Sequence, residues 1–265
     1  MDWKRWLVGT WDWKRPFKSL LFIYLSLLLV ACSFSNKFIF HPPPPQYSED
    51  SSDLVLLDPG ESQVACFFLP PDRGERVLLW SHGNAEDIGA LKPLFVELHA
   101  HGFGVLAYDY PGFGLSAGSP GERSCFRAMD RAYRFLTERE NTDPKRIILV
   151  GQSVGSGPAC WLAEREEVGG VVLIAPFLSA FRTVTRIPIF PGDKFKNVKR
   201  IGKIEEPLLV IHGSDDKAVP FAQGRRLFEL HGGPKQFLEI PGAGHNDIWH
   251  LGMREMIHAI DEFAQ

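Results

Sequence analysis

Three residue types that together turn a hydroxyl into a nucleophile stand in order along this chain, each on a turn that follows an apolar run. The first is Ser153, at the centre of Gly151-Gln152-Ser153-Val154-Gly155. The strand-like run Arg146-Ile147-Ile148-Leu149-Val150 precedes it, and a helix-like run from Gly157 to about Glu166 follows. This is the pattern of a nucleophile elbow, a tight strand-to-helix turn that lifts a serine out of a sheet. Neighbouring chains approach closely there, so the residues two positions either side of the serine must be small. The turn also aims the first free N–H groups of the helix, that of Val154 among them, at charge developing on a substrate.

A serine hydroxyl needs a base, and the base needs an orienting acid. His245 ends Pro241-Gly242-Ala243-Gly244-His245, after the strand-like run Gln236–Ile240. Imidazole takes and returns a proton near neutral pH, and the glycines let the loop reach. The acid comes from His212-Gly213-Ser214-Asp215-Asp216, after Leu208–Ile211. The third residue after the glycine is Asp216, the triad position of a His-Gly-x-x-Asp pattern, which makes Asp215 a solvated loop residue or helix cap. Stabilising an oxyanion takes two donors. Val154 N–H is one; the other is expected from Ser81-His82-Gly83-Asn84-Ala85, at Asn84 N–H with Ala85 as the near alternative. Chemistry of this kind calls for no cofactor and no metal.

These residues need a scaffold that brings loop ends together. Strand-like runs fall at about 54–57, 62–69, 76–81, 103–109, 146–150, 170–175, 207–212 and 235–240. Several are continuously apolar, as in parallel strands buried on both faces. Helix-like runs at 87–101, 121–139, 154–166, 219–231 and 246–263 separate the later ones. The alternation predicts an α/β fold: a mostly parallel, eight-stranded twisted sheet with helices on both faces and an antiparallel hairpin at its start. Pro70-Pro71-Asp72-Arg73-Gly74 reads as a hairpin-type turn. Gly112-Phe113-Gly114-Leu115-Ser116-Ala117 loosely matches a dinucleotide fingerprint but follows a middle strand, without an acidic residue ending the next one, so it reads as a structural turn. Between 176 and 207 the helical period fails. This short apolar segment either caps the site, with Phe177, Phe181 and Phe190 lining an acyl pocket, or is a surface loop whose aromatics belong to the core.

The chain has 265 residues, 45% of them hydrophobic and 23% charged, as in a packed globular protein. The net charge is −3, and residues 1–19 hold five Lys/Arg and two Asp, leaving the rest at about −6. Nothing here suggests a nucleic-acid partner. Cys32, Cys66, Cys125 and Cys160 show neither metal-ligand spacing nor a disulfide framework, and Cys66 and Cys160 read as small buried groups. The amino terminus is basic, then apolar for 12 residues from Leu20 to Ala31, the length of a secretory h-region and short for a membrane span. It ends in Leu29-Val30-Ala31-Cys32, similar to a bacterial lipobox whose cysteine is lipidated; an uncleaved signal anchor is the other reading. Residues 1–31 are thus expected to be a signal peptide or anchor, 32–53 a semi-rigid tether and 54–265 the catalytic domain, held at a membrane outside the cytoplasm.

Trp80-Ser81-His82-Gly83-Asn84-Ala85, Tyr108-Asp109-Tyr110-Pro111-Gly112-Phe113-Gly114-Leu115-Ser116, the Ser153 pentapeptide, His212–Asp216 and Gly242-Ala243-Gly244-His245-Asn246-Asp247 together resemble the short-capped α/β-hydrolases. The likeness is to the membrane-tethered branch that includes eukaryotic protein depalmitoylases and uncharacterised bacterial hydrolases, and it spans about residues 38–263. It implies the α/β-hydrolase fold and a serine hydrolase acting on an acyl ester or thioester of a small or lipid-like molecule. Peptidase or amidase action, acyl transfer on the same triad, and a non-catalytic lipoprotein of this fold remain open alternatives.

Overall fold

The computed structural model describes residues 13–58, 60, 63–71, 76–187 and 192–265. The chain divides into two compact units, Met1–Phe38 and Ile39–Gln265. The first contains most of helix α1 (Arg15–Ile39), on which Phe17, Leu20, Leu21, Phe22, Ile23, Leu25, Leu27 and Leu29 are exposed. Among the described residues no helix is long and apolar enough to cross a membrane. The side chain of Cys32, the expected lipidation site, lies outside the described ones.

The second unit begins at Ile39, so about two thirds of the expected tether, residues 39–53, falls within it. Phe40 is the reason. It is buried, and it meets Tyr110, Phe113 and Phe195 edge-on at ring-centroid distances of 6.1–6.3 Å. Burying one aromatic ring repays ordering the few residues around it.

Eight strands form one sheet in the order β1-β2-β4-β3-β5-β6-β7-β8. They are β1 (Leu54–Leu57), β2 (Val64–Leu69), β3 (Val77–Ser81), β4 (Gly104–Tyr108), β5 (Ile147–Gln152), β6 (Gly170–Ile174), β7 (Leu208–Gly213) and β8 (Lys235–Ile240). β2 pairs antiparallel with both β1 and β4, and every other pairing is parallel. The opening hairpin is therefore β1–β2. The Pro70–Gly74 turn does not make one: β4 lies between β2 and β3, so this segment starts a crossover, and residues 72–75 lie outside the described set.

The continuous apolar runs are explained by burial on both faces. Leu79, Leu149, Leu173 and Val210 face one core with helices α3 (Glu122–Arg134), α4 (Ser156–Ala163) and α5 (Phe221–Leu230). Trp80, Val150, Val172 and Ile211 face the other with α2 (Lys92–Ala100) and α6 (Ile248–Ala264). Cys66, Cys125 and Cys160 are all free and buried.

Among its described residues, the irregular segment before β7 has a helical turn at Arg182–Thr185 and short turns at Asn197–Lys199 and Ile201–Lys203. Phe177 and Phe195 are buried in the core that carries α3 and α4. Of the three aromatics expected to line an acyl pocket, Phe177 is thus core packing, and Phe190 lies outside the described residues.

Candidate active site

The carboxyl ends of β3, β5, β7 and β8 deliver the loops that carry His82–Glu86, Ser153, Asp216 and His245 to one edge of the sheet, where ligands bind in open α/β folds. Ser153 follows β5 directly, at φ 51°, a left-handed backbone conformation unfavourable for a side chain. Two glycines permit it. A Cβ on Gly151 would stand 2.5 Å from the Gly155 carbonyl oxygen, and one on Gly155 would collide with the Ser81 carbonyl. The turn is fastened from behind: Ser156 Oγ donates to the Ser153 carbonyl at 2.6 Å, and Asn197 Nδ2 donates to Ser156 Oγ at 2.9 Å.

Ser153 Oγ lies 2.9 Å from His245 Nε2, and His245 Nδ1 lies 2.7 Å from Asp216 Oδ2. A carboxylate only accepts, so Nδ1 carries the proton and Nε2 is free to take one from the serine. Asp216 is buried, whereas Asp215 is exposed. Asp216 Oδ1 accepts the Val219 N–H at 2.7 Å, and His212 Nε2 lies 3.4 Å from Oδ2. Burial pushes the Asp216 carboxyl up, but the hydrogen bonds from His212, His245 and Val219 and the His245 charge outweigh it and hold the group well below the carboxylate range. The loops bearing acid and base are laced together, with Asp215 N donating to the Ala243 carbonyl at 2.9 Å and Gly242 N to Ser214 Oγ at 2.8 Å.

On the opposite wall, His82 Nδ1 donates to the Gly83 carbonyl at 2.7 Å. His82 is fully buried, so this carbonyl points into the core. In a trans peptide the N–H and C=O point opposite ways, so the Asn84 N–H is turned away from the core. The Asn84 carbonyl accepts from His41 N at 2.9 Å, which by the same rule turns the Ala85 N–H away from His41. Asn84 and Ala85 both line the cleft that holds Ser153.

That cleft encloses about 490 Å³ and is lined by Gly83, Asn84, Ala85, Glu86, Leu91, Gln152, Ser153, His245, Asn246 and Trp249. Neither Phe177 nor Phe181 is among its described lining residues, and Phe190 lies outside the described set. Sequence reasoning passed over three residues that line it and are hydrogen-bonded in a row. Trp249 Nε1 donates to Gln152 Oε1 at 2.9 Å, Gln152 Nε2 to Glu86 Oε1 at 3.3 Å, and Gly83 N to that same oxygen at 2.7 Å. The one available signal was position: Gln152 precedes the serine and Trp249 opens the helix after the histidine. A larger groove of about 810 Å³ lies between α2 and α6, but it holds neither Ser153 nor His245. Among the described residues, no group of three His, Cys, Asp or Glu is placed to hold a metal ion.

The Gly112–Ala117 stretch is a turn with φ values of 84° at Gly112 and 46° at Gly114, packed against Asp109 and Tyr47.

Comparison with known proteins agrees with this architecture. The family model described as serine aminopeptidase, S33, matches residues 72–191. Alpha/beta hydrolase domain-containing protein 17B of Xenopus laevis is 31% identical over 250 residues, covering 81% of this chain and 85% of that protein. The human 17B protein is 30% identical over 250 residues, with the same coverage. Among solved structures, an esterase from Pyrococcus furiosus superposes with a TM-score of 0.67 at 18% identity, covering 85% of this chain and 97% of its own. A CIB-like hydrolase from Thermoplasma acidophilum gives 0.61 at 21% identity, covering 79% and 96%.

Proposed function

Because this chain belongs to the α/β-hydrolase family, we propose that it is a serine hydrolase that cleaves an acyl ester or thioester through an acyl-enzyme on Ser153. The observation that carries this reading is the unbroken hydrogen-bond chain from Ser153 Oγ through His245 to Asp216, set on a strained elbow.

In the proposed mechanism His245 Nε2 removes the Ser153 proton as Oγ attacks the acyl carbon. Asp216 holds the imidazole in the correct tautomer and stabilises the imidazolium. The N–H groups of Val154 and Asn84 receive the oxyanion. Collapse expels the alcohol or thiol, protonated by His245, and leaves the acyl group on Ser153. Water, deprotonated by His245, then attacks the ester and frees the acid. Fluorophosphonate labelling tests the nucleophile. The parent protein is expected to label at Ser153 and to hydrolyse p-nitrophenyl esters, and folded Ser153→Ala to do neither; an alanine variant that labels like the parent removes Ser153 from the role.

The name of the matched family model and the Glu86 carboxylate in the cleft favour a second substrate class, an amide with a free amine. Parallel assays on an acyl ester and an aminoacyl anilide separate the two.

We also propose that the amino terminus tethers the enzyme to a membrane outside the cytoplasm, through lipidation of Cys32. The lipobox-like Leu29-Val30-Ala31-Cys32 and the exposed apolar side chains of α1 support this. Mass spectrometry of the mature amino terminus should find a lipidated Cys32; an intact residue 1 in membrane-bound protein favours a retained anchor.

A further inference from the structure

The segment from Ile39 to Tyr47 resembles a spacer in sequence, yet it is knitted to the loop that faces Ser153. His41 N donates to the Asn84 carbonyl, and Asn84 Nδ2 returns a hydrogen bond to the Ile39 carbonyl, both at 2.9 Å. Gln46 N donates to Asp87 Oδ2 at 2.8 Å. Tyr47 OH donates to Asp109 Oδ2 and accepts the Leu115 N–H at 3.1 Å, while Asp109 Oδ1 receives the Ile88 N–H at 3.0 Å. Burial and the Asp109 charge push the Tyr47 hydroxyl well above its usual pKa, so it remains a donor.

The partners make room for this segment. A Cβ on Gly89 would stand 2.8–2.9 Å from Tyr47 Cδ1 and the Gln46 backbone, and one on Gly114 would lie 2.5 Å from the Tyr47 hydroxyl. Phe40 pins the near end in the core. Residues 39–47 therefore hold the 84–88 loop at both ends, at Asn84 and at Ile88 through Asp109.

We infer that residues 39–47 form a strap that positions the oxyanion-binding loop, with Tyr47 and the Asn84 carboxamide as its positioning groups. The Asn84 carbonyl stays turned toward His41 only while the strap is seated, and the orientation of that peptide fixes where the Ala85 N–H points, while the Asn84 carboxamide on the Ile39 carbonyl holds the residue that carries the neighbouring N–H. Donors aimed before the reaction stabilise the transition state without reorganisation; a loop free to turn loses that advantage. The inference rests on the proposed role of Ser153 but concerns the opposite wall of the cleft.

The test uses the full chain and two substitutions, Tyr47→Phe and Asn84→Ala. The first removes one hydroxyl; the second removes the carboxamide but keeps the backbone N–H. For each, kcat and KM are measured on p-nitrophenyl butyrate, with the inhibition constant of a trifluoromethyl ketone, whose tetrahedral adduct places an alkoxide in the hole. Ground-state binding should be spared and transition-state binding lost. Each variant should lose kcat by roughly ten- to a hundredfold, less than the 10²–10³ lost on removing a donor. Ketone affinity should fall in parallel, with KM within about twofold of parent. If Tyr47→Phe does not fold, Asn84→Ala alone decides. Folded variants with parental kcat and ketone affinity, or with the whole loss in KM, overturn the strap. Failure of the parent to label at Ser153 is a separate result, bearing on the nucleophile.

Discussion

The carboxylate of Asp216 meets His245 Nδ1 at 2.7 Å through Oδ2, while its other oxygen is held by a backbone N–H. The orienting acid is thus itself oriented, from within its own loop. Its neighbour Asp215 is exposed and donates its backbone N–H to the Ala243 carbonyl.

Asp216→Asn should therefore cost about 10⁴-fold in kcat, because an amide at this position favours the wrong tautomer of His245. Asp215→Asn should stay within about twofold of parent, a change too small to mark a triad residue. Steady-state kinetics on one ester at neutral pH compares them, and a larger loss in the Asp215 variant would move the acid by one residue.

Glu164 gives a pH-dependent prediction. Burial pushes its carboxyl up, but hydrogen bonds from Lys203, Arg200 and Arg165 and the Arg200 charge bring it down to about 2. The Arg200 and Lys203 contacts, at 2.5 and 2.6 Å, tie the end of α4 to the segment before β7. A carboxyl lowered on folding stabilises the fold above its ordinary value of about 4.3, and that contribution is lost as pH falls from there through the folded value. The Tm of parent should exceed that of Glu164→Gln at pH 7, with the gap narrowing below about pH 4 and closing near pH 2. A gap independent of pH would mean that the pair contributes by packing alone.

Gly155→Ala should damage the elbow more than a surface glycine change would. The added methyl meets the Ser81 carbonyl, a backbone atom at the end of β3 that has no rotamer to yield. Overpacking of this kind costs about 1–3 kcal/mol. Denaturant unfolding measures the loss, and activity should fall with it because Ser81 leads into the oxyanion loop.

Phe177→Ala should act on stability rather than on substrate choice. The ring is 3% exposed and sits in the core, where truncating a phenylalanine costs about 3–5 kcal/mol. At a temperature where the variant is folded, its kcat/KM profile across p-nitrophenyl esters of rising chain length should parallel the parent's. A flattened profile would return Phe177 to the acyl site.

Much of this protein was legible before folding because it is encoded locally. Short uninterrupted apolar runs such as Val77–Trp80 and Ile147–Val150 suit strands covered on both faces, and eight strands form close to the eight places read. The spacing of Asp216 from His212-Gly213 singled it out over Asp215, and its carboxylate is the one that meets His245 Nδ1. The glycines around Ser153 announced a close approach, and Ser81 supplies the atom approached. Tertiary structure decided what depends on distant partners. Period and turn chemistry say nothing of Phe40 entering the core or Tyr47 reaching Asp109, because a Pro-rich segment has no repeating face to reveal its contacts. Nor does chain order locate a side chain: Phe177 lies between nucleophile and acid in sequence, yet is buried in the core, while Trp249, beyond the histidine, folds back to line the cleft. Catalytic order follows the strands, but the walls of the cleft come from whichever distant segments pack beside it.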